Sequence, residues 1–438
     1  MKRCVIHFGM FKTGSSSIQH SFAEQLGDQH WHYLKLGSPN HGGAFSRLFA
    51  EDLSARRHVI FESDLQGLEA KKLKLKKRLA KQLSGTAENF LASAEWFSSN
   101  AFKPAHVAQL QHLFLDYVDQ VEAVGYIRSP KAYMESAFQE TLKHGAKGQL
   151  NFAKLYPRYR ERIEKFDQVL GKDKVRVWKF DPSTFYNGCV VQEFCRQLQI
   201  DFPVADIKRI NESLSYEATA FLYTYRAYGP GFGEGIAAIA ENKLLIARLA
   251  QLKGRKLRFS WSAVSPVLEA NRDDIHWIEE RVGVSLDENE PESPDAVKSP
   301  EDLLRYSPES LVWLAEQLGD ASLVSDGVRI TPKKVAVWLH KLRLKLAQEA
   351  GLAVMAADGK RSRLTVSTLA GLVKQASPTL QNLSDADTDL LLSEAFKHII
   401  GRVDTDNNVL VEGLGVFKTS EKGDKKTAKK ITFHIKKT

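Results

Sequence analysis

Lys12-Thr13-Gly14-Ser15-Ser16-Ser17 places an ammonium, a turn residue and four hydroxyls within six consecutive positions. Such a cluster suits a tetrahedral anion, because an ammonium and free helix amides offer charge and donors at one point. Cys4-Val5-Ile6-His7-Phe8 precedes it, an apolar run of the kind expected for a strand buried on both faces, and Gly9 breaks that run. Ser15-Ser16-Ser17 then opens a segment with Ile18, Phe22 and Leu26 at helical spacing. The expected unit is strand, tight loop, helix. An ordinary strand–helix turn rich in small residues is the plainer alternative, but it does not account for a lysine between two glycines followed by three serines. The Walker A pattern does not fit either. Phe11 rather than glycine precedes the lysine, and the second glycine follows it.

The stretch resembles the 5′-phosphosulfate loop of PAPS-dependent sulfotransferases, in particular bacterial members with a HxGxxKTGTTSxQ-like pattern. His7, Gly9, Lys12, Thr13, Gly14, Ser17 and Gln19 match it, and Ser15 and Ser16 replace its threonines with the hydroxyls kept. By this resemblance, Lys12, Thr13, Gly14, Ser15, Ser16 and Ser17 would hold the cofactor PAPS, with Lys12 also catalytic and no metal required.

A second stretch, Val121 to Gln139, contains a strand (Val124 to Ile127), a turn (Arg128-Ser129-Pro130) and a helix (Lys131 to Gln139). Arg128 and Ser136 stand eight residues apart, the spacing at which the resembled family binds the 3′-phosphate of its donor. An arginine fork is the best side-chain partner for a phosphate, and a serine adds a neutral bond. Asn89 to Phe97 reads as a buried strand, and Ser93-Ala94-Glu95 resembles the family's Ser-Ser-Glu with one serine lost. Glu95 is a candidate base for an acceptor hydroxyl, with a structural hydrogen bond as the competing role. Asn40-His41 resembles the segment lining the acceptor side, which makes His41 a second candidate base or acceptor contact; an ordinary loop histidine is the alternative. His30, His32 and His41 lack carboxylate or cysteine partners at ligand spacing, so a metal site is not expected.

The elements between these motifs are a strand at His58 to Ser63, a basic helix at Lys71 to Lys81, one helix from Phe152 to Leu170, and a strand from Val175 to Phe180. Asn211 to Ser215 precedes an apolar helix, and Tyr228 to Gly233 reads as a flexible turn. Asp287 to Asp302 reads as an acidic surface loop or a partly disordered one. A helix is expected around Pro308 to Leu318.

At 438 residues, 43% hydrophobic and 26% charged, the chain has ordinary globular composition and room for two or three domains. No apolar run approaches the ~20 residues of a membrane helix. The three scattered cysteines suit a reducing compartment, and a cytoplasmic location without membrane contact is expected. The net charge of +9 is concentrated late: from Asp326 onward there are 20 Lys and Arg against 12 Asp and Glu. There a basic helix from Thr331 to about Ala350 is followed by helices at Thr365 to Gln375 and Ser384 to Ile400. Val409 to Phe417 and Lys429 to Ile435 then form a hairpin. Gly413-Leu414-Gly415-Val416-Phe417 resembles the GFGxF element of the HU-type nucleoid proteins. Ser420 to Lys430 is too short to be that family's DNA-embracing arm. Non-specific phosphate contact with DNA and a solvated basic hairpin used for dimerisation both remain open.

The expected fold is α/β, a P-loop-like parallel sheet flanked by helices, with a C-terminal small α+β HU-like domain of helices plus β-hairpin. The boundaries are 1–325 for the sulfotransferase domain, 326–360 for a basic helical linker and 361–438 for the HU-like domain. The implied activity moves a sulfonate from PAPS to a hydroxyl acceptor, with a saccharide as the expected class. The alternative is a nucleoid-associated DNA-binding protein whose large domain is a degenerate sulfotransferase. A P-loop kinase is disfavoured by the loop order.

Overall fold

The computed structural model describes residues 1–10, 12–25, 30–49, 65–210, 213–230, 235–288, 291–325, 327–352, 387–388, 390–392, 394–396, 398, 408–411, 415–421 and 429–434. In chain order the first elements are β1 (Arg3–Phe8), α1 (Ser15–Gln25), β2 (Trp31–Tyr33), α2 (Gly42–Leu48), α3 (Leu65–Leu83) and β3 (Asn89–Ala94). Next come α4 (Pro104–Leu115), β4 (Gln120–Ile127), α5 (Pro130–Lys143), α6 (Phe152–Leu155), α7 (Tyr159–Leu170), β5 (Val175–Lys179), α8 (Val190–Leu198) and α9 (Tyr216–Tyr228). The remainder comprises α10 (Gly235–Leu249), α11 (Trp261–Glu269), α12 (Arg272–Val282), α13 (Pro308–Leu318), α14 (Pro332–Glu349), β6 (Asn408–Val411), β7 (Gly415–Glu421) and β8 (Lys429–His434).

Two compact units result, one of Met1–Ala50, Glu69–Tyr228 and Leu249–Trp313, the other of Glu51–Leu68, Gly229–Arg248 and Leu314–Thr438. The first is built on a five-stranded parallel sheet in the order β2-β3-β1-β4-β5. Strands buried on both faces read as continuous apolar runs, which is why β1 and β4 stand out in the sequence. One face carries Val5, Leu91 and Val124 against Ile18, Phe22, Val191 and Phe194 of α1 and α8. On the other, Phe8 stacks on Phe166 of α7 at 4.7 Å between ring centroids.

The second unit contains α10 and α14, which pack through Ala240, Leu244, Ala347 and Leu352, with an Arg343–Glu241 ion pair of 3.4 Å. Thr331 caps α14 by accepting from the Lys334 N–H. β6, β7 and β8 form a three-stranded antiparallel sheet in that order. Val409 to Phe417, expected as a single strand, is therefore two strands, β6 and the start of β7. The helix expected at Thr365 to Gln375 and the strand at His58 to Ser63 lie outside the described residues, as does Leu26. Within Ser384 to Ile400 the described positions are helical. Among the described residues no helix is long and apolar enough to cross a membrane.

Two sequence expectations are corrected in the first unit. Phe152 to Leu170 is two helices, because the chain breaks at Pro157 and Arg158 adopts a left-handed φ of 50°. The third strand ends at Ala94 instead of Phe97, and Glu95 opens a 3₁₀ turn, Glu95–Ser98. Of the two readings of Asp287 to Asp302, the described residues fit the surface loop, closed by a 3₁₀ turn at Pro300–Leu304, and residues 289–290 lie outside the described residues. Glu288 accepts from the Lys131 and Ala132 N–H groups that open α5, and Ser299 and Asp302 form a capping box.

Helix α7 braces the carboxyl ends of the strands. Tyr159 Oη donates to Arg128 O at 2.5 Å, Arg162 Nη1 to Ser98 O at 2.8 Å, and Lys165 Nζ to Ser99 O and Phe102 O, both at 2.8 Å. Its own N-terminus has no side-chain cap from Arg158; Asp274 of α12 supplies one, accepting from the Tyr159 and Arg160 N–H groups at 2.8 Å and from Tyr156 Oη at 2.9 Å. Asp274→Ala leaves these donors without their acceptor, and urea unfolding should show a loss of about 1–3 kcal/mol.

Burial, with Arg162 and Lys103 adding to it, lowers the Lys165 ammonium to about 7. Between that value and roughly 10.4 for an unfolded lysine, the unfolded chain binds the extra proton. Stability at this residue therefore rises with pH, by up to about 1.4 kcal/mol per unit. Urea midpoints at pH ~7 and ~9 should climb more for the native chain than for Lys165→Met.

Candidate anion and transfer site

The site forms where three parallel strands end together, the edge at which open α/β sheets gather ligands. Ala94 pairs with Phe8 and Val124 with His7, so the loop after β1, Glu95 after β3 and Arg128 after β4 leave the sheet side by side. Two glycines permit the loop. A Cβ on Gly9 would collide with Ser15 Oγ, and Gly14 takes a φ of +75° with Val190 filling the place of a side chain. Lys12 also takes a left-handed φ of 59°, a conformation costing about 1–2 kcal/mol for a residue with a Cβ.

That backbone turn aims the Lys12 carbonyl at Arg128. Arg128 Nη1 donates to Lys12 O at 3.1 Å and to Ser136 Oγ at 2.8 Å, and Ser136 donates onward to Ala132 O at 3.0 Å. Phe180 lies beneath the guanidinium, 5.8 Å from its ring centre. The structure thus brings Lys12, Arg128 and Ser136 into one connected group.

The hydroxyls divide by role. Thr13 is fully buried and donates to Met10 O at 2.8 Å; Ser15 is buried 3.4 Å from it. Ser17 Oγ accepts the Ile210 N–H at 3.1 Å, so its hydroxyl anchors a later segment. Ser16 is half-buried. Ser15, Ser16 and Ser17 are the first three residues of α1, whose amides have no acceptor within the helix and suit an anion at its start.

Beneath the loop runs a buried polar chain. His7 Nδ1 lies 2.7 Å from Ser93 Oγ, which also accepts from Gln19 Nε2 at 3.1 Å. Ser93 N–H donates to His41 Nδ1 at 3.1 Å, and His41 N–H returns a bond to Ser93 O at 2.9 Å. Burial lowers His7 to about 3 and His41 to about 4, so both rings are neutral at pH ~7. Because His41 Nδ1 accepts, the neutral ring carries its proton on Nε2, which makes His41 a donor there and unsuited to take a proton. Glu95 is half-buried at the mouth of the 3₁₀ turn, and Ser98 of that turn donates to Gly9 O at 2.8 Å, tying it to the loop. Its charge reaches Tyr133, whose phenol is raised mainly by burial, opposed by Arg162 and reinforced by Glu95.

Sequence reasoning missed two charged residues. Glu140 Oε1 lies 3.0 Å from Lys12 Nζ and 3.0 Å from Lys143 Nζ. Burial alone would raise Glu140, but the two ammoniums hold it below the ordinary carboxylate value. Ser136, Glu140 and Lys143 fall at i, i+4 and i+7, so one stripe of α5 carries them. Extending the expected helix past Gln139 would have exposed that stripe.

No family model matches the chain, and no curated protein matches it. Among solved structures, a sulfotransferase from Alicyclobacillus acidocaldarius is similar over 65% of this chain and 97% of its own, at 12% identity and a TM-score of 0.33. The sulfotransferase domain of the Synechococcus PCC 7002 olefin synthase is similar over 47% of this chain and 76% of its own, at 16% identity and a TM-score of 0.28. Scores this low leave the chemistry to be read from the site itself.

Proposed function

We propose that the chain transfers a sulfonate from 3′-phosphoadenosine 5′-phosphosulfate to a hydroxyl of an acceptor, with a saccharide as the acceptor class. The observation that carries the reading is the joining of two anion-binding groups through one guanidinium. The Lys12 loop and the start of α1 suit one phosphoryl-type group, and the Arg128–Ser136 pair suits a second. Two such groups at one sheet edge match a nucleotide phosphorylated at both ends of its ribose.

In the proposed reaction Glu95 takes the acceptor's hydroxyl proton as the oxygen attacks sulfur. The new S–O bond forms while the bond from sulfur to the bridging phosphate oxygen breaks, and PAP leaves with the electron pair. Lys12 and the Ser15–Ser17 amides face the oxygen on which charge grows, so their stabilisation is larger in the transition state than in the ground state. Arg128 and Ser136 hold the 3′-phosphate and fix the donor's position. His41 retains its proton on Nε2 and shapes the acceptor side. This donor set needs no metal ion to neutralise the leaving group.

Calorimetric titration with PAP in the absence of magnesium tests the donor. Binding is expected for the native chain, and Lys12→Ala or Arg128→Ala should weaken it about a hundredfold or more, as loss of a charge-assisted phosphate contact requires. No binding at millimolar PAP would overturn the reading, and magnesium-dependent binding of ATP instead would favour a kinase. With an acceptor found by screening with radiolabelled PAPS, Glu95→Gln should slow transfer about 10²–10⁴-fold while leaving PAP affinity within about threefold. An unchanged rate would remove Glu95 as the base.

A further inference from the structure

Lys12, the residue that should meet the donor's phosphosulfate, is held by a carboxylate. Glu140 Oε1 accepts from Lys12 Nζ and Lys143 Nζ at the same distance, 3.0 Å, and the three side chains are largely shielded, at 12–14% exposure. An internal anion thus sits between two ammoniums, one helical turn beyond the serine that Arg128 engages. Glu140 lies in the last turn of α5, whereas Glu135 and Glu288 both accept from backbone amides. Its carboxylate meets the cations of the anion site instead.

We propose that Glu140 is a built-in competitor for the incoming anion and that Lys143 is a further ligand of the donor's phosphates. The inference rests on the donor reading above and deepens it by naming two residues that set affinity and selectivity. Glu140 supplies negative charge to both Lys12 and Lys143. When the donor binds, Lys12 transfers from the Glu140 carboxylate to the donor's oxygens, and the carboxylate becomes a like charge beside them. A ligand with a single weakly charged group does not offset that exchange. One bearing two phosphate-type groups does, because Arg128 and Ser136 engage the second while Lys12 and Lys143 move to the first. Glu140 therefore discriminates against small anions at the cost of some affinity for the donor, which is how an added repulsive element produces specificity.

The variants Glu140→Gln and Glu140→Ala remove the competing charge, and either serves if the other folds poorly. Calorimetry with PAP should show about tenfold tighter binding in these variants, the effect of relieving one shielded like-charge contact. Inorganic sulfate, titrated by its effect on thermal unfolding, should gain at least as much, so that selectivity for PAP over sulfate falls. Adding Lys143→Met to Glu140→Gln should weaken PAP about tenfold relative to Glu140→Gln alone, because the competitor is already absent and only a direct contact is lost. Unchanged or weaker PAP binding in both Glu140 variants overturns the competitor role. An unaltered affinity on adding Lys143→Met overturns the ligand role. If the native chain fails to bind PAP, the donor reading falls separately, and the sulfate titration decides the inference: a gain in the Glu140 variants supports it and no gain overturns it.

Discussion

The site depends on one guanidinium. A single nitrogen of Arg128 bonds both the carbonyl of Lys12 and the hydroxyl of Ser136, and so fixes the loop after β1 to the helix after β4. The arrangement tolerates little substitution, since the arginine is charged at every accessible pH and its planar head can bond in two directions while resting on Phe180. A lysine would offer a mobile point charge without the stacked plane. The carbonyl that Arg128 engages is aimed by a left-handed Lys12, so the strained residue and the cation that rewards the strain form one unit.

The N-terminus of α5 is met by a carboxylate from far along the chain. At α5, Glu288 accepts from the Lys131 and Ala132 amides, so the partial positive charge there already has its carboxylate. Burial, with the nearby charge of Glu135, raises that carboxyl to about 7, and Lys131 and the amides act against the rise. Glu135 in turn is enclosed by Lys131, Arg258 and the Phe259 amide. These contacts fix α5 along its length, so the stripe bearing Ser136, Glu140 and Lys143 has a defined azimuth toward the loop. Like α5, α1 has no acidic residue of its own in its first turn, and it starts with three serines. Its dipole faces the loop.

The buried strands were legible because a short continuous apolar run closed by a glycine or an arginine suits few elements besides a strand covered on both faces. The Lys12 to Ser17 loop was legible because lysine, glycine and hydroxyls rarely crowd a turn, and Arg128 and Ser136 through their spacing. The failures have a common physical cause, tertiary contact overriding local pattern. Composition leaves residues 287–302 open between a surface loop and partial disorder, and Glu288 is fixed by the amides of a helix more than 150 residues earlier in the chain. Strand β2 spans three residues, Trp31–Tyr33, too short for any alternation to register, and exists because β3 offers it an edge. Pro157 divides α6 from α7, and only Asp274, far away in sequence, makes a helix start at Tyr159 stable. Glu140 escaped for a smaller reason: a helix taken only as far as Gln139 stops one residue before the carboxylate that meets Lys12.

The layer under the loop is polar but uncharged. His7, Ser93, Gln19 and His41 form a hydrogen-bonded chain of neutral groups in the sheet's interior. A charged imidazolium there would carry a large desolvation cost, and burial keeps both rings neutral. A neutral His41 bonded through Nδ1 has only an N–H left to offer. Glu95 stands in a different environment. It is half-buried, it follows directly on the strand end beside the loop, and its turn is tied to Gly9 by Ser98 and to α7 by Arg162. The neutral layer lies within the sheet, while the charged groups Lys12, Glu95 and Arg128 stand after the carboxyl ends of the strands.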